Sequence, residues 1–120
     1  MQMHFMQLNG ITKTERFEML DRLKKAIAAS NGWITDFHQF SNFSVCINFE
    51  IELKHVSELR SLLLETKLNL DEKSLLLLDE LSNQAAEKNG TANKEILGTL
   101  QISFIHNEPD LRIEVPPIPG

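Results

Sequence analysis

Between Phe43 and Leu53 apolar and polar residues alternate without a fault. Phe43, Val45, Ile47, Phe49, Ile51 and Leu53 are separated by Ser44, Cys46, Asn48, Glu50 and Glu52. Strict period two places all six apolar side chains on one side of an extended chain. Such a segment folds only as a strand whose one face is covered and whose other face meets something polar. Every other element has to be arranged around that requirement.

The segment upstream, Trp33 to Phe40, is also extended, and Ser41-Asn42 separates the two. A two-residue turn pairs Phe40 with Phe43 and sends Asp36 and His38 to the buried side. A three-residue turn or a bulge buries Trp33 and Phe37 instead, and leaves Asp36 and His38 opposite with Ile34 and Phe40. A slip of one residue exchanges the faces entirely. Burying Asp36 and His38 unpaired is costly, which favours the bulged register.

Helical periodicity occupies two regions. Phe17, Leu20, Leu23 and Ile27, widened by Met19 and Ala26, form one stripe over Glu15 to Ser30. Thr12 and Glu15 stand at capping-box spacing before it, and Asn31-Gly32 supplies a left-handed stop after it. The second region runs from Ser57 to Leu81. Ser57 is an expected N-cap, a pause is expected at Leu68-Asn69, and Asn69 is expected to cap a second piece with Asp71 and Glu72 in its first turn. Leucines on several sides of this region predict packing against more than one layer, or against a partner chain.

The ends are extended. Met3 to Leu8 is apolar on both faces and is followed by a turn signal, Asn9-Gly10. Ser82 to Lys94 is polar and reads as a loop. Ile96 to His106 alternates again, with Leu100, Ile102 and Phe104 on one side. Asn107 to Asp110 reads as a turn, and Leu111, Ile113 and Val115 as a short strand completing a terminal hairpin. Pro116, Pro117 and Pro119 then end regular structure. The order β-α-β-β-α-β is that of the split βαβ, or ferredoxin-like, group. The expectation is one α+β domain spanning 1–120, a mostly antiparallel sheet with helices on one face and an extra C-terminal hairpin. Phe17, Leu20, Leu23, Ile27, Val45, Ile47, Phe49, Leu100, Ile102 and Phe104 form its expected core.

Chemistry is sparse. The formal charge of −5 opposes broad affinity for phosphate backbones or anionic membranes. Arg16, Arg22, Lys24 and Lys25 on the first helix read as its solvated face. Exposed aromatics among basic residues would be needed to read RNA; one register exposes Phe37 and Trp33, but Glu50 and Glu52 lie on the next strand and argue against it. The glycines are isolated, so no phosphate loop is encoded. One cysteine, Cys46, excludes an intrachain disulfide and a cysteine-based zinc cluster, and fits a reducing compartment. It reads as a small filler. None of the four histidines forms a metal-binding pair, so neither metal nor cofactor is expected. Asp36 and His38, two apart on one strand face, are the one constellation suited to orienting an imidazole in a cleft. Met1 to Leu8 lacks the basic and long apolar regions of a signal peptide. No apolar run is long enough to span a bilayer, and a cytoplasmic protein is expected.

From Gly10 to Ile51 the chain resembles ACT domains. The resemblance is carried by the helix Glu15–Ser30, by Asn31-Gly32-Trp33-Ile34-Thr35-Asp36-Phe37, and by Phe43-Ser44-Val45-Cys46-Ile47-Asn48-Phe49-Glu50. It implies a homodimer or higher assembly with a small, amino-acid-like ligand at the interface, near the first loop. The matching residues are Asn9, Gly10, Ile11 and Thr12, which lead into a helix N-terminus. Asn9 takes the place of the family's acidic residue, and no Pro-Gly follows it. The expected function is a non-catalytic, oligomeric small-ligand-binding or regulatory domain. Two alternatives stand beside it: a small dimeric enzyme using an Asp36/His38 cleft, and a protein–protein interaction module without a small ligand.

Overall fold

The computed structural model describes residues 4–86 and 94–105. They form a mixed α+β structure, a five-stranded sheet with three α-helices. Strand β1 (His4–Thr12) leads to helix α1 (Arg16–Ala29), then to strands β2 (Trp33–Ser41) and β3 (Ser44–Glu52). A 3-10 turn, Leu53–His55, precedes helix α2 (Val56–Glu65). The two-residue strand β4 (Asn69–Leu70), helix α3 (Glu72–Ala86) and strand β5 (Glu95–Phe104) follow.

The sheet order is β2-β3-β5-β1-β4. Three neighbouring pairs are antiparallel, and β1 with β5 is parallel. The last described strand is therefore interior, with β3 on one side and β1 on the other. Both sides of β5 are occupied. The expected hairpin with Leu111, Ile113 and Val115 lies outside the described residues.

One face of the sheet is covered. Met6 and Leu8 of β1, Val45, Ile47, Phe49 and Ile51 of β3, and Ile96, Leu100, Ile102 and Phe104 of β5 are buried together with side chains of all three helices. The alternation in β3 and β5 fixes this arrangement, because every second residue points the same way. Nine of the ten expected core residues are buried. The tenth, Phe17, is 69% exposed. Helix α1 turns Met19, Leu20, Leu23, Ala26 and Ile27 inward. That leaves Phe17 on the outside, beneath the Arg16 guanidinium, 5.0 Å from the ring centre.

The caps differ from the expected ones for local reasons. Thr12 ends β1, its hydroxyl accepting from the Thr14 N–H at 3.0 Å. The cap of α1 is Glu15, whose carboxylate accepts from the N–H groups of Phe17 and Glu18. At the other end the Ser30 hydroxyl bonds back to the Ala26 and Ile27 carbonyls, and Asn31 adopts φ 66°. The leucine-rich region does divide in two. Lys67 takes a left-handed φ of 74°, and Asp71 accepts from the Ser74 N–H at 2.8 Å. Asp71 therefore does the capping expected of Asn69, which sits in β4. Ser57 lies inside the first turn of α2, behind His55. Residues 82–86, expected in a loop, continue α3.

Strand β2 carries two register shifts, between Ile34 and Asp36 and between Gln39 and Ser41. The bulged register is realised, with one exchange. Phe37 stands opposite Ile47 on the covered side but is 41% exposed and not buried as expected, and Asp36 and His38 stand opposite Asn48 and Cys46 on the other. The extra residue at Thr35 puts Ile34, not Trp33, on the covered side, opposite Phe49.

Candidate functional site

Among the described residues no helix packs over the second face of the sheet, and the strand registers set its side chains in rows. One row reads Trp33, Glu50, Leu97, Phe5 from β2 to β1. The next reads Asp36, Asn48, Thr99, Gln7, and the third His38, Cys46, Gln101, Asn9. The last is Ser41, Ser44, Ser103, Ile11. The middle rows are polar and, apart from Asp36, hold no Asp, Glu, Lys or Arg. The Thr99 hydroxyl donates to Asn48 Oδ1 at 3.1 Å, and Gln101 Nε2 to the Ser44 hydroxyl at 3.5 Å. Large apolar side chains stand around them. Phe5 is 70% exposed, Phe40 65%, Ile11 48% and Trp33 46%. The Phe40 ring stacks on His38 with centroids 6.2 Å apart.

Asp36 and His38 are joined, as their spacing suggested. His38 Nε2 lies 2.9 Å from Asp36 Oδ2, and the other oxygen, Oδ1, accepts from the Phe37 N–H at 2.8 Å. That backbone bond, seconded by His38, holds the Asp36 carboxyl below the usual range for an aspartate. Both side chains are more than half exposed, on an edge strand and not in a cleft. Cys46 faces His38 across the β2–β3 pair and is buried. Burial pushes its thiol pKa up, and the Asp36 charge adds to that. A thiol held protonated is a poor nucleophile.

The residues expected to meet a ligand at the first loop are in β1 instead. The Asn9 N–H donates to the buried Ser74 hydroxyl at 2.8 Å, and its carbonyl accepts from the Asp71 N–H at 3.0 Å. Gly10 and Ile11 pair with β4 on one side and β5 on the other. Gly10 lies against Leu68, whose side-chain carbons would be 2.6–2.9 Å from an added Cβ. Thr12 is buried, and its carbonyl accepts from the Ile105 N–H. At the start of α1 the donors of Phe17 and Glu18 are held by the Glu15 carboxylate. Asn9 and Ile11 reach the open face, where Asn9 closes the third row and Ile11 the last.

A second concavity escaped the sequence altogether, because two helices contribute to it. Arg22, Lys25, Ala26 and Ala29 of α1 face Leu62, Glu65 and Thr66 across an open groove of about 300 Å³. The Arg22 guanidinium is tied there to the Thr66 carbonyl and to Glu18. Among the described residues no three His, Cys, Asp or Glu side chains gather closely enough to hold a metal ion. Among the same residues no helix is long and apolar enough to cross a membrane. Comparison with known protein families, characterised proteins and solved structures finds no match to this chain.

Proposed function

We propose that this protein is a non-catalytic interaction module that self-associates through the uncovered face of its sheet, and that it works in the cytoplasm as a homodimer. The observation that carries this reading is the set Phe5, Trp33, Phe40 and Ile11, four large apolar side chains exposed around one polar field. A central polar patch ringed by aromatics supplies both contact area and hydrogen-bonding specificity, the composition that protein interfaces favour. A second copy is the partner that a two-fold axis makes self-complementary without any further design.

The small-ligand and enzyme readings draw less support. A ligand at Asn9, Gly10, Ile11 and Thr12 would need loop amides, and these four residues belong to a strand flanked on both sides. Acid–base chemistry at Asp36 and His38 would gain from an enclosed site, and the pair sits on an exposed edge. The ferredoxin-like, ACT-like reading has one feature in its favour. The elements β1-α1-β2-β3-α2-β4 form a complete βαββαβ unit, with β4 antiparallel to β1 at the sheet edge. On that reading α3 and β5 are an addition, and β5 has been inserted between β1 and β3.

Sedimentation velocity on the full chain tests the proposal. The wild type should sediment as a dimer at tens of micromolar, near the range where modest interfaces hold. Trp33→Glu should sediment as a monomer with an unchanged circular dichroism spectrum. A monomeric wild type would overturn the reading.

A further inference from the structure

The hydrogen bonds at the two ends of β3 reveal which way each backbone group of the sheet points. The Leu53 N–H donates to the Lys94 carbonyl, and the Phe104 N–H donates to the Phe43 carbonyl. Odd-numbered residues of β3 therefore direct their backbone groups toward β5, since bonding direction alternates along an antiparallel strand. The even-numbered residues face β2. Their partners Trp33, Asp36, His38 and Ser41 face back. Phe37 and Gln39, opposite Ile47 and Val45, consequently turn their N–H and C=O groups outward, to the edge of the sheet that no described strand pairs.

An edge strand with outward donors is a template for another strand. β2 is nine residues long and carries exposed aromatics, features that raise this hazard. Its central outward donor is not open. Asp36 Oδ1 accepts from the Phe37 N–H at 2.8 Å, and His38 Nε2 holds the other carboxylate oxygen at 2.9 Å. The bond to a charged acceptor is of the stronger kind. The register shifts on either side, at Ile34/Asp36 and Gln39/Ser41, leave only the short stretch around Phe37 straight enough to be paired.

We propose that Asp36 is an edge guard: its carboxylate, held in place by His38, closes the Phe37 amide and keeps β2 from pairing edge to edge with β2 of a second copy. This inference does not rest on the face-to-face association proposed above: it concerns the backbone edge of β2, while the Asp36 and His38 side chains also stand in the second and third rows of the open face. It assigns the Asp36–His38 pair a task that needs no cleft and no substrate. The occupant it excludes is a second copy, because an antiparallel two-fold pairing centred on Phe37 brings each strand's outward groups against its own equivalents.

The test uses the full chain. In the wild type, the Phe37 amide should exchange with solvent about tenfold more slowly than the outward Gln39 amide, after correction for intrinsic rates. Asp36→Ala should remove that difference and add, in sedimentation velocity, species larger than any formed by the wild type. Asp36→Ala combined with Gln39→Pro should abolish the added species, because proline removes an outward N–H without touching the ladder to β3. Asp21→Ala, which removes the same charge from an exposed pair with Lys25 on α1, should sediment as the wild type does. Equal exchange at Phe37 and Gln39 in the wild type would overturn the proposal. So would an Asp36→Ala protein that sediments as the wild type, or an Asp21→Ala protein that associates as strongly as Asp36→Ala. Because the edge species add to whatever the open face forms, a failure here is distinguishable from a monomeric wild type.

Discussion

Gly98 offers the sharpest test of the core. It lies in β5 directly opposite Phe49 of β3, on the covered side of the sheet. A Cβ placed there would stand 2.3 Å from Phe49 Cζ and 2.6–2.7 Å from both Cε atoms. The ring therefore lies across the bare backbone of the glycine, and Phe49 is itself buried among side chains that leave it no room to retreat. Two effects of Gly98→Ala oppose one another. Replacing glycine inside a strand relieves a conformational penalty of roughly 0.5–1 kcal/mol. Forcing a methyl into a filled core costs about 1–3 kcal/mol. The overpacking wins, and the net loss should be about 1–2 kcal/mol in urea denaturation. Phe49→Leu alone leaves unfilled space and should also destabilise. The double variant should be less unstable than the sum of the two, by on the order of 1 kcal/mol, because the smaller side chain admits the methyl. A Gly98→Ala protein as stable as the wild type, or strict additivity in the double variant, would show that the ring does not lie over Gly98.

Other substitutions probe the remaining joints. Ser74→Ala leaves the Asn9 N–H without its buried acceptor and should cost about 1–3 kcal/mol in the same titration. Phe17→Ser should change stability by less than about 0.5 kcal/mol, as expected for an exposed position; a core-sized loss would restore Phe17 to the interior. The carboxyls of Glu15, Asp36 and Asp71 are held below their ordinary ranges, chiefly by the Phe17 N–H, the Phe37 N–H and the Ser74 hydroxyl respectively. A carboxyl whose folded pKa is lowered contributes stability that is present above the unfolded value and lost as pH falls through the folded one. The urea midpoint should therefore hold steady above about pH 5 and fall below it. Glu15→Gln and Asp71→Asn should flatten the fall, and a midpoint that rises on acidification would contradict the assignment.

Much of the fold was legible because two periodicities are strong. The β3 alternation fixed which face of the sheet is covered, and Val45, Ile47 and Phe49 are buried as it requires. The α1 stripe faces the core as its spacing requires, except at its first residue. Phe17 obeys the spacing, but helix rotation is set by the whole stripe, and Met19 and Ala26 outvote one aromatic at the end. In β2 the cost of burying Asp36 and His38 correctly selected a bulged register. The spacing of side chains could not show that there were two bulges, and the first of them exchanged Trp33 with Ile34. The turn expected at Asn9-Gly10 is strand instead. Asn9-Gly10 carries the composition of a turn, yet Gly10 is there because Leu68 lies against its backbone, within a strand.

The strand order was the part that local pattern could not supply. Helix α2 returns the chain so that β4 runs in the same direction as β3, and β4 pairs antiparallel with β1 over Gly10 and Ile11 alone. Two residues carry no alternation, so Asn69-Leu70 registers in the sequence only as an interruption between helices. With β4 at the outer edge, the remaining strand had to find another place. β5 is apolar at every second residue from Ile96 to Phe104, and its other face is partly covered all along. A strand so enclosed belongs in the middle of a sheet, where a neighbour on each side satisfies both rows of backbone groups. Entering between β3 and β1 meets that requirement, and it leaves β2 and β4 at the edges. It also carries the uncharged polar residues Thr99 and Gln101 into the centre of the open face, with Trp33 and Phe40 of β2 to one side and Phe5 of β1 to the other. The polar field and its aromatic rim are thus a consequence of where β5 lies in the sheet. For that reason no single stretch of the sequence displays them.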